Sequence, residues 1–250
     1  MRIIAIGAHP DDCEICAGGT AIKFARLGHA VKFVSVANGD AGHQSEGGGA
    51  LARRRRAEAM EAAKRLGVEC EVLDNHDGEL LPTLQVREQI IRLIRRWNAD
   101  IVMGPRPNDY HPDHRYTGLL VQDSAYVVAV PNLCSDTPAL KKNPLFLYFE
   151  DRFQRPNPFR ADIAIDVNDV FEQKIYALDA HASQFYEWLP WLDGQLDEVP
   201  KEPAGRLKWL AAWAEARVCP TRRESFEICE YGQQPSAAEL RALFPMLGER

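Results

Sequence analysis

The chain has 250 residues, 46% of them hydrophobic and 26% charged, with a formal net charge of −6. These proportions suit a globular protein long enough to bury most of its apolar surface without staples. The negative balance argues against a nucleic-acid partner, which needs an electropositive footprint. No apolar run approaches the length of a membrane span. The N-terminal run is already acidic at Asp11 and Asp12 and no small-residue cleavage site follows it, so no signal peptide is expected. The six cysteines (Cys13, Cys16, Cys70, Cys134, Cys219, Cys229) are scattered and read as reduced thiols in a cytoplasmic protein.

In chain order, residues 2–7 form a continuous apolar run that reads as a buried strand. A helix is expected over 14–28, ending at Gly28, and a second strand over 30–37. A helix rich in Ala, Arg and Glu follows at 50–66, stopped by Gly67. Then come a short strand at 69–73, a helix at 83–98, a strand at 100–104 and a helix at 113–128. Four alternations of strand and helix predict an α/β fold with a mostly parallel sheet between helical layers. After residue 145 the rhythm changes: strands at 145–149 and 161–167, helices at 168–180 and 205–217, and a last strand over 225–230. No internal repeat or low-complexity tract breaks the chain, and the Pro-rich loop at 154–158 reads as a bend. One domain over 1–250 is expected.

In such sheets ligands bind outside the carboxyl ends of the strands. Two strands here end in unusual polar clusters. The first is followed by His9-Pro10-Asp11-Asp12-Cys13-Glu14, the fourth by Asn108-Asp109-Tyr110-His111-Pro112-Asp113-His114. One His-Pro-Asp after a strand is ordinarily a turn and a helix cap. Two, converging at one sheet edge, offer three imidazoles and several carboxylates, the donors a divalent metal such as zinc prefers. Pro10 and Pro112 fix φ and stiffen the loops. The residues alone do not say which of Asp11 and Asp12 would bind the metal.

The two motifs, in this order and spacing, resemble the LmbE/PIG-L family of zinc-dependent N-acetylglucosaminyl deacetylases. Weaker similarity covers Arg55-x-x-Glu58, Asp77-Gly78 and His181-Ala182-Ser183-Gln184. The resemblance implies a Rossmann-like three-layer fold and hydrolysis of an N-acyl group on an amino sugar by a water that zinc activates. It implies His9, Asp12 and His114 as metal ligands, Asp11 as general base, and His111 as oxyanion stabiliser or acid, with Asp113 orienting an imidazole. It nominates Arg55 and Asp77 for contacts to substrate hydroxyls and His181 as an extra substrate contact or acid. Two His and a carboxylate also fit Fe(II); zinc is preferred because hydrolysis needs no redox chemistry.

Other features have plainer readings. Arg53-Arg54-Arg55-Arg56 points all round a helix and reads as a solvated face with one inward arginine. Cys13-x-x-Cys16 lies within the ligand loop and reads as two buried small residues. The Gly-rich run at 42–49 lacks phosphate-loop spacing and is expected to be a mobile loop over the site. The aromatic stretch 185–192, with Trp209 and Trp213, belongs to a variable segment at about 185–220. It could stack a sugar, pack the core or support a homo-oligomer. The competing functions are an amidase on a related thiol or sugar conjugate and a non-catalytic sugar-binding module, which would not need Asp11.

Overall fold

A computed structural model describes residues 1–247. The strands are β1 (Arg2–Gly7), β2 (Ala30–Ala37), β3 (Glu69–Asn75), β4 (Ile101–Gly104), β5 (Leu145–Phe149), β6 (Ile163–Asp166) and β7 (Arg223–Ile228). The helices are α1 (Asp12–Arg26), α2 (Gly48–Leu66), α3 (Leu84–Trp97), α4 (Pro112–Ser124), α5 (Phe171–Leu178), α6 (Leu189–Leu192), α7 (Pro203–Arg217) and α8 (Ala237–Leu243). All seven strands join one sheet in the order β3-β2-β1-β4-β5-β7-β6. The first five are parallel; β7 pairs antiparallel with both β5 and β6.

The apolar run of β1 is buried on both faces, which explains why it does not alternate with polar residues. Ile3 and Ala5 join the core under α1, α5 and α7, whereas Ile4 and Ile6 join the core under α3 and α4. Helices therefore cover both faces of the sheet, the expected three-layer α/β arrangement.

The strand order reverses between β1 and β4. From β1 the chain first builds outward through β2 to β3, then returns to place β4 on its other side. Such a switch point opens a crevice at the carboxyl ends of the two strands. Both His-Pro-Asp clusters leave from these ends. Gly118 lets α4 press against the β4 loop: a Cβ there would meet the Pro105 and Arg106 carbonyl oxygens at 2.7 Å.

Several element boundaries differ from expectation. The first helix begins at Asp12, so that residue lies in the first turn rather than the preceding loop. The helix predicted to run to 128 ends at Ser124; Tyr126 has φ 64° and a 3₁₀ turn follows at Val127–Ala129. The stretch 168–180 divides into a 3₁₀ turn and α5. Gly48 and Gly49 belong to α2, and the loop before it is pinned rather than free, as the Gln184 Nε2 donates to Gly42 O at 3.1 Å. Capped by Ser236, α8 was not anticipated. Nor was the π-helical turn Gln184–Trp188 in the aromatic segment.

Candidate active site

The first cluster turns sharply. Asp11 has φ 138° and ψ −27°, a conformation L-residues avoid, and it is buried. Such strain is characteristic of sites where the surroundings over-determine the backbone. Gly7 permits the fold-back, because a Cβ there would sit 2.7 Å from the Asp12 Cβ. The Asp12 Oδ2 accepts from the amides of Ala8 and His9 at 2.8 and 2.9 Å. The second cluster is fixed by capping: the His111 Nδ1 accepts from the Asp113 amide at 3.2 Å, with Pro112 beginning α4.

The two clusters meet. His9 Nδ1 and His114 Nε2 face each other at 3.2 Å. The Asp12 carboxylate lies 3.7 Å from the first nitrogen and 3.6 Å from the second. The outer nitrogens of both rings are engaged by carboxylates. His9 Nε2 meets Asp77 Oδ1 at 3.1 Å and Asp113 Oδ2 at 3.3 Å, while His114 Nδ1 meets Asp109 Oδ1 at 3.1 Å. A ring donating its outer N–H directs the inner lone pair to the centre, so two neutral rings here present acceptor to acceptor. Without an ion, one charged ring donating to one neutral ring satisfies the 3.2 Å contact. A divalent cation between two neutral rings satisfies both lone pairs, and donors at ~2.0–2.1 Å from one tetrahedral ion stand roughly 3.3 Å apart. These residues fit a divalent metal. His9, His111 and His114 together also bring three nitrogens within 4.8 Å of one another, an overlapping donor group.

The electrostatics point the same way. Burial opposes charge on His9, yet hydrogen bonds to Asp113 and Asp77 and the field of Asp12 outweigh it and raise the ring to about 10. Burial likewise opposes charge on His114, and Asp12 and Asp109 raise it. Burial pushes Asp77 up, but His9 and Arg55 hold its carboxyl down at about 2. The cage favours positive charge at its centre. Asp11 differs: burial drives it up to about 6 against the pull of Arg55. His111 is held below its ordinary value by burial and by His9 and His114.

Of the residues nominated from sequence, His9, Asp11, Asp12, Arg55, Asp77, His111 and His114 line one cavity of about 940 Å³. Asp113 lies behind His9, fully buried, and also accepts from the Gly78 amide at 2.7 Å; the imidazole it orients is that of His9. Arg55 is the inward arginine of its run. It donates to Pro10 O at 3.0 Å and lies 3.4 Å from Asp11 Oδ2 and 3.5 Å from Asp77 Oδ2. Its guanidinium, and Asp77 with it, engages the site's own groups.

His181 departs from its nominated role. It is fully buried, does not line the cavity and lies 3.4 Å from Glu14 Oε1, outside hydrogen-bonding geometry. It packs against α1 behind Asp11, whose carboxyl its charge helps hold down. Cys13 and Cys16 are free thiols; Cys13 is buried as expected, but Cys16 is only half-buried and lines the cavity. Burial raises both thiols well above the ordinary value. Asp109 lies within the second cluster and supports His114 from there. Its signal was its place five residues before His114, where the loop folds it back onto the ring. Gln184, Trp188 and Trp213 reach the cavity only through tertiary contacts.

An α/β fold with this donor set at its switch point defines a candidate divalent-metal site beside a buried carboxylate. The sequence matches the family described as GlcNAc-PI de-N-acetylase (PIG-L) over residues 4–125. It is 33% identical over 205 residues to diacetylchitobiose deacetylase of Thermococcus kodakarensis, covering 76% of this chain and 74% of that protein. The chain belongs to the PIG-L (LmbE) family. The solved N,N′-diacetylchitobiose deacetylase of Pyrococcus horikoshii superposes with a TM-score of 0.72 at 27% identity, over 95% of this chain and 88% of that one. A more distant relative is 4-oxalmesaconate hydratase of Pseudomonas putida, 24% identical over 74% of each chain.

Proposed function

We propose that this chain is a metal-dependent N-deacetylase that hydrolyses the amide of an N-acetylated amino sugar. The observation that carries this is the inward-facing pair His9 Nδ1 and His114 Nε2, 3.2 Å apart, beside a buried Asp11 raised to about 6. His9, Asp12 and His114 would hold the ion, and Asp12 completes the set because its carboxylate spans both nitrogens. Zinc suits this donor set for a reaction without redox change. When bound, the ion polarises the acyl oxygen and lowers the pKa of water.

The chain's own residues carry the proton traffic. Asp11 Oδ accepts a proton as water adds to the amide carbon, a role suited to a carboxylate whose pKa lies near the working pH. The His111 Nδ1 is occupied by the Asp113 amide, so its ring proton sits on Nε2. A neutral imidazole there donates to the developing oxyanion. Asp11 then returns its proton to the departing nitrogen. The carbon–nitrogen bond breaks, one carbon–oxygen bond has formed from water, and the amine leaves with acetic acid, which loses water's second proton to the medium.

The test is release of free amine from N-acetylglucosamine and diacetylchitobiose by metal-stripped protein and by protein restored with zinc or Fe(II). Amine released only with metal is expected. No release from either substrate under any metal overturns the reading. Hydration, the reaction named for the Pseudomonas relative, frees no amine, so this readout separates the two chemistries.

A further inference from the structure

The cavity extends well past the residues that do the chemistry. At about 940 Å³ it stands near the upper end of the range for drug-sized ligands, roughly 300–1,000 Å³. Two sides line it. One, from the loops after β4 and β5, mixes charged groups (Arg106, Asp109, Asp151, Arg152) with Tyr110, Phe149 and Phe153. The other is mostly apolar: Ile15 from α1, Trp188, Leu189 and Leu192 from the π turn and α6, and Trp213 from α7, with Arg217 at its end.

Ile15, Leu189 and Trp213 also pack against the core, but three observations set the outer part of this wall, Trp188 and Leu192, apart from it. Leu192 is 54% exposed and its neighbour Trp191 is 48% exposed, so the wall continues to an open rim. The segment bearing it departs from regular helix at Gln184–Trp188, and π turns are common at functional sites. That turn is also held from the catalytic side. The Glu187 carboxylate receives Arg54 Nη1 at 2.9 Å and His43 Nε2 at 2.9 Å, and Gln184 donates to Gly42 O. Gly42 and Gln184 both line the cavity near Arg55. His43, Glu46 and Glu187 form a further donor cluster. Its centre is bridged by the Arg54 guanidinium, which pairs with both Glu46 and Glu187, so the cluster works as a strut rather than a cation site.

We infer that the substrate of this site carries an apolar group of alkyl or aryl size joined to the amino sugar, and that the wall formed by Trp188, Leu189, Leu192 and Trp213 selects it. This rests on the deacetylase reading for the position of the scissile amide. The apolar group has two sources in such a molecule, a lengthened N-acyl chain or an apolar aglycone on the sugar. Trp188, stacked on Trp191, and Trp213, packed edge-on against Phe185, offer flat apolar area at low entropic cost.

The experiment has a turnover arm and a binding arm. In the first, kcat/KM is measured for methyl, butyl and hexyl glycosides of N-acetylglucosamine, and separately for methyl glucosaminides bearing N-acetyl, N-butyryl and N-hexanoyl groups. In the second, the amine products, methyl and hexyl glucosaminide, are titrated calorimetrically, with no chemistry required. Burial of each methylene favours the longer ligand by about fourfold at most. At least tenfold preference for the hexyl over the methyl member is expected in one turnover series, identifying the source. Leu192→Ser and Trp188→Ala are expected to pull that ratio toward one. A ratio near one for both turnover series and for binding overturns the inference, as does a preference that both variants leave intact. Tight binding of the hexyl amine without any turnover supports the wall and sinks the deacetylase reading instead. Turnover of the methyl substrate without preference does the reverse.

Discussion

Replacing Arg55 with methionine distinguishes two roles for one side chain. The family resemblance gives Arg55 to substrate hydroxyls; its guanidinium instead lies 3.4 Å from Asp11 Oδ2 and 3.5 Å from Asp77 Oδ2. Asp11 must be ionised to accept a proton, so kcat/KM falls below its pKa, placed at about 6 by burial against the pull of Arg55. A cation about 4 Å away stabilises a carboxylate by at most about 4 kcal/mol at an effective dielectric near 20. That corresponds to about three pH units as a ceiling, and arginine neighbours generally lower an Asp by 1–3 units. Arg55→Met is therefore expected to raise the acid limb of kcat/KM by about one to three units. The comparison is between two proteins loaded with the same ion, so the ion's own field cancels. Arg55→Lys keeps the charge and should leave the limb within about one unit. The assay is the pH profile of kcat/KM for amine release, recorded on folded, metal-replete protein. A limb moved by less than about half a unit, with KM increased tenfold or more, would refute the tuning role and restore the substrate contact.

Asp11→Asn should keep its metal but lose roughly 10²–10⁴-fold in kcat; metal content by elemental analysis alongside turnover checks this, and full activity would remove Asp11 as the base. Asp109→Asn weakens the carboxylate holding His114 Nδ1 and is expected to cost about 10–100-fold in metal affinity or activity, read from chelator competition. In metal-stripped protein His9 has its folded pKa raised from 6.5 to about 10, so its stabilisation is complete below 6.5 and is lost as pH rises through about 10. The apo Tm should fall across that window and added zinc should remove the fall; a flat apo profile would contradict the cage electrostatics. Lys174→Met leaves the buried Glu224 without its partner at 2.7 Å, an expected loss of about 3–5 kcal/mol, measured by denaturant unfolding, and a loss below about 1 kcal/mol would show the pair to be dispensable.

The parallel half of the fold was legible because each element there is set by local pattern. The run at 2–7 has no polar residue after Arg2, and a strand buried on both faces needs none. Gly67 at φ 78° ends α2 where the sequence placed its stop. The antiparallel insertion of β7 between β5 and β6 was not legible, since it depends on pairings such as Leu147 with Ile228 across some eighty residues of chain. In the site, the two clusters were visible because strand ends and imidazoles are local features. Supporting partners were less visible: Asp109 lay inside a cluster without a role, and Arg55 and Asp77 came only from the resemblance. Asp77 was nominated by the resemblance for a substrate contact, yet its place beside His9 comes from the loop after β3, two strands away from β1 in the sheet. For His181 the motif fixed the residue type, while packing against α1 set it beside Glu14 rather than on the cavity wall.

The first turns of α1 join these levels. Asp11 supplies the strained entry, Asp12 the carboxylate, and Ile15 begins the apolar wall of the cavity. The same helix is gripped farther along by a buried ion pair. Lys174 donates to Ile15 O at 2.7 Å, and Glu224 accepts from the amides of Gly19 and Thr20 at 2.8 and 2.6 Å. Gly19 makes room for this contact, because a Cβ there would lie 2.6 Å from Val167 Cγ1. A charge pair whose groups also hold backbone atoms restricts sliding or rotation of the helix, whereas apolar packing alone tolerates small shifts. A metal centre needs its donors placed to within about 0.5 Å. Residues from α5 and β7, outside the parallel core and absent from both motifs, thus fix the helix that carries Asp12. Breaking the Lys174–Glu224 pair should therefore lower metal occupancy even in molecules that remain folded.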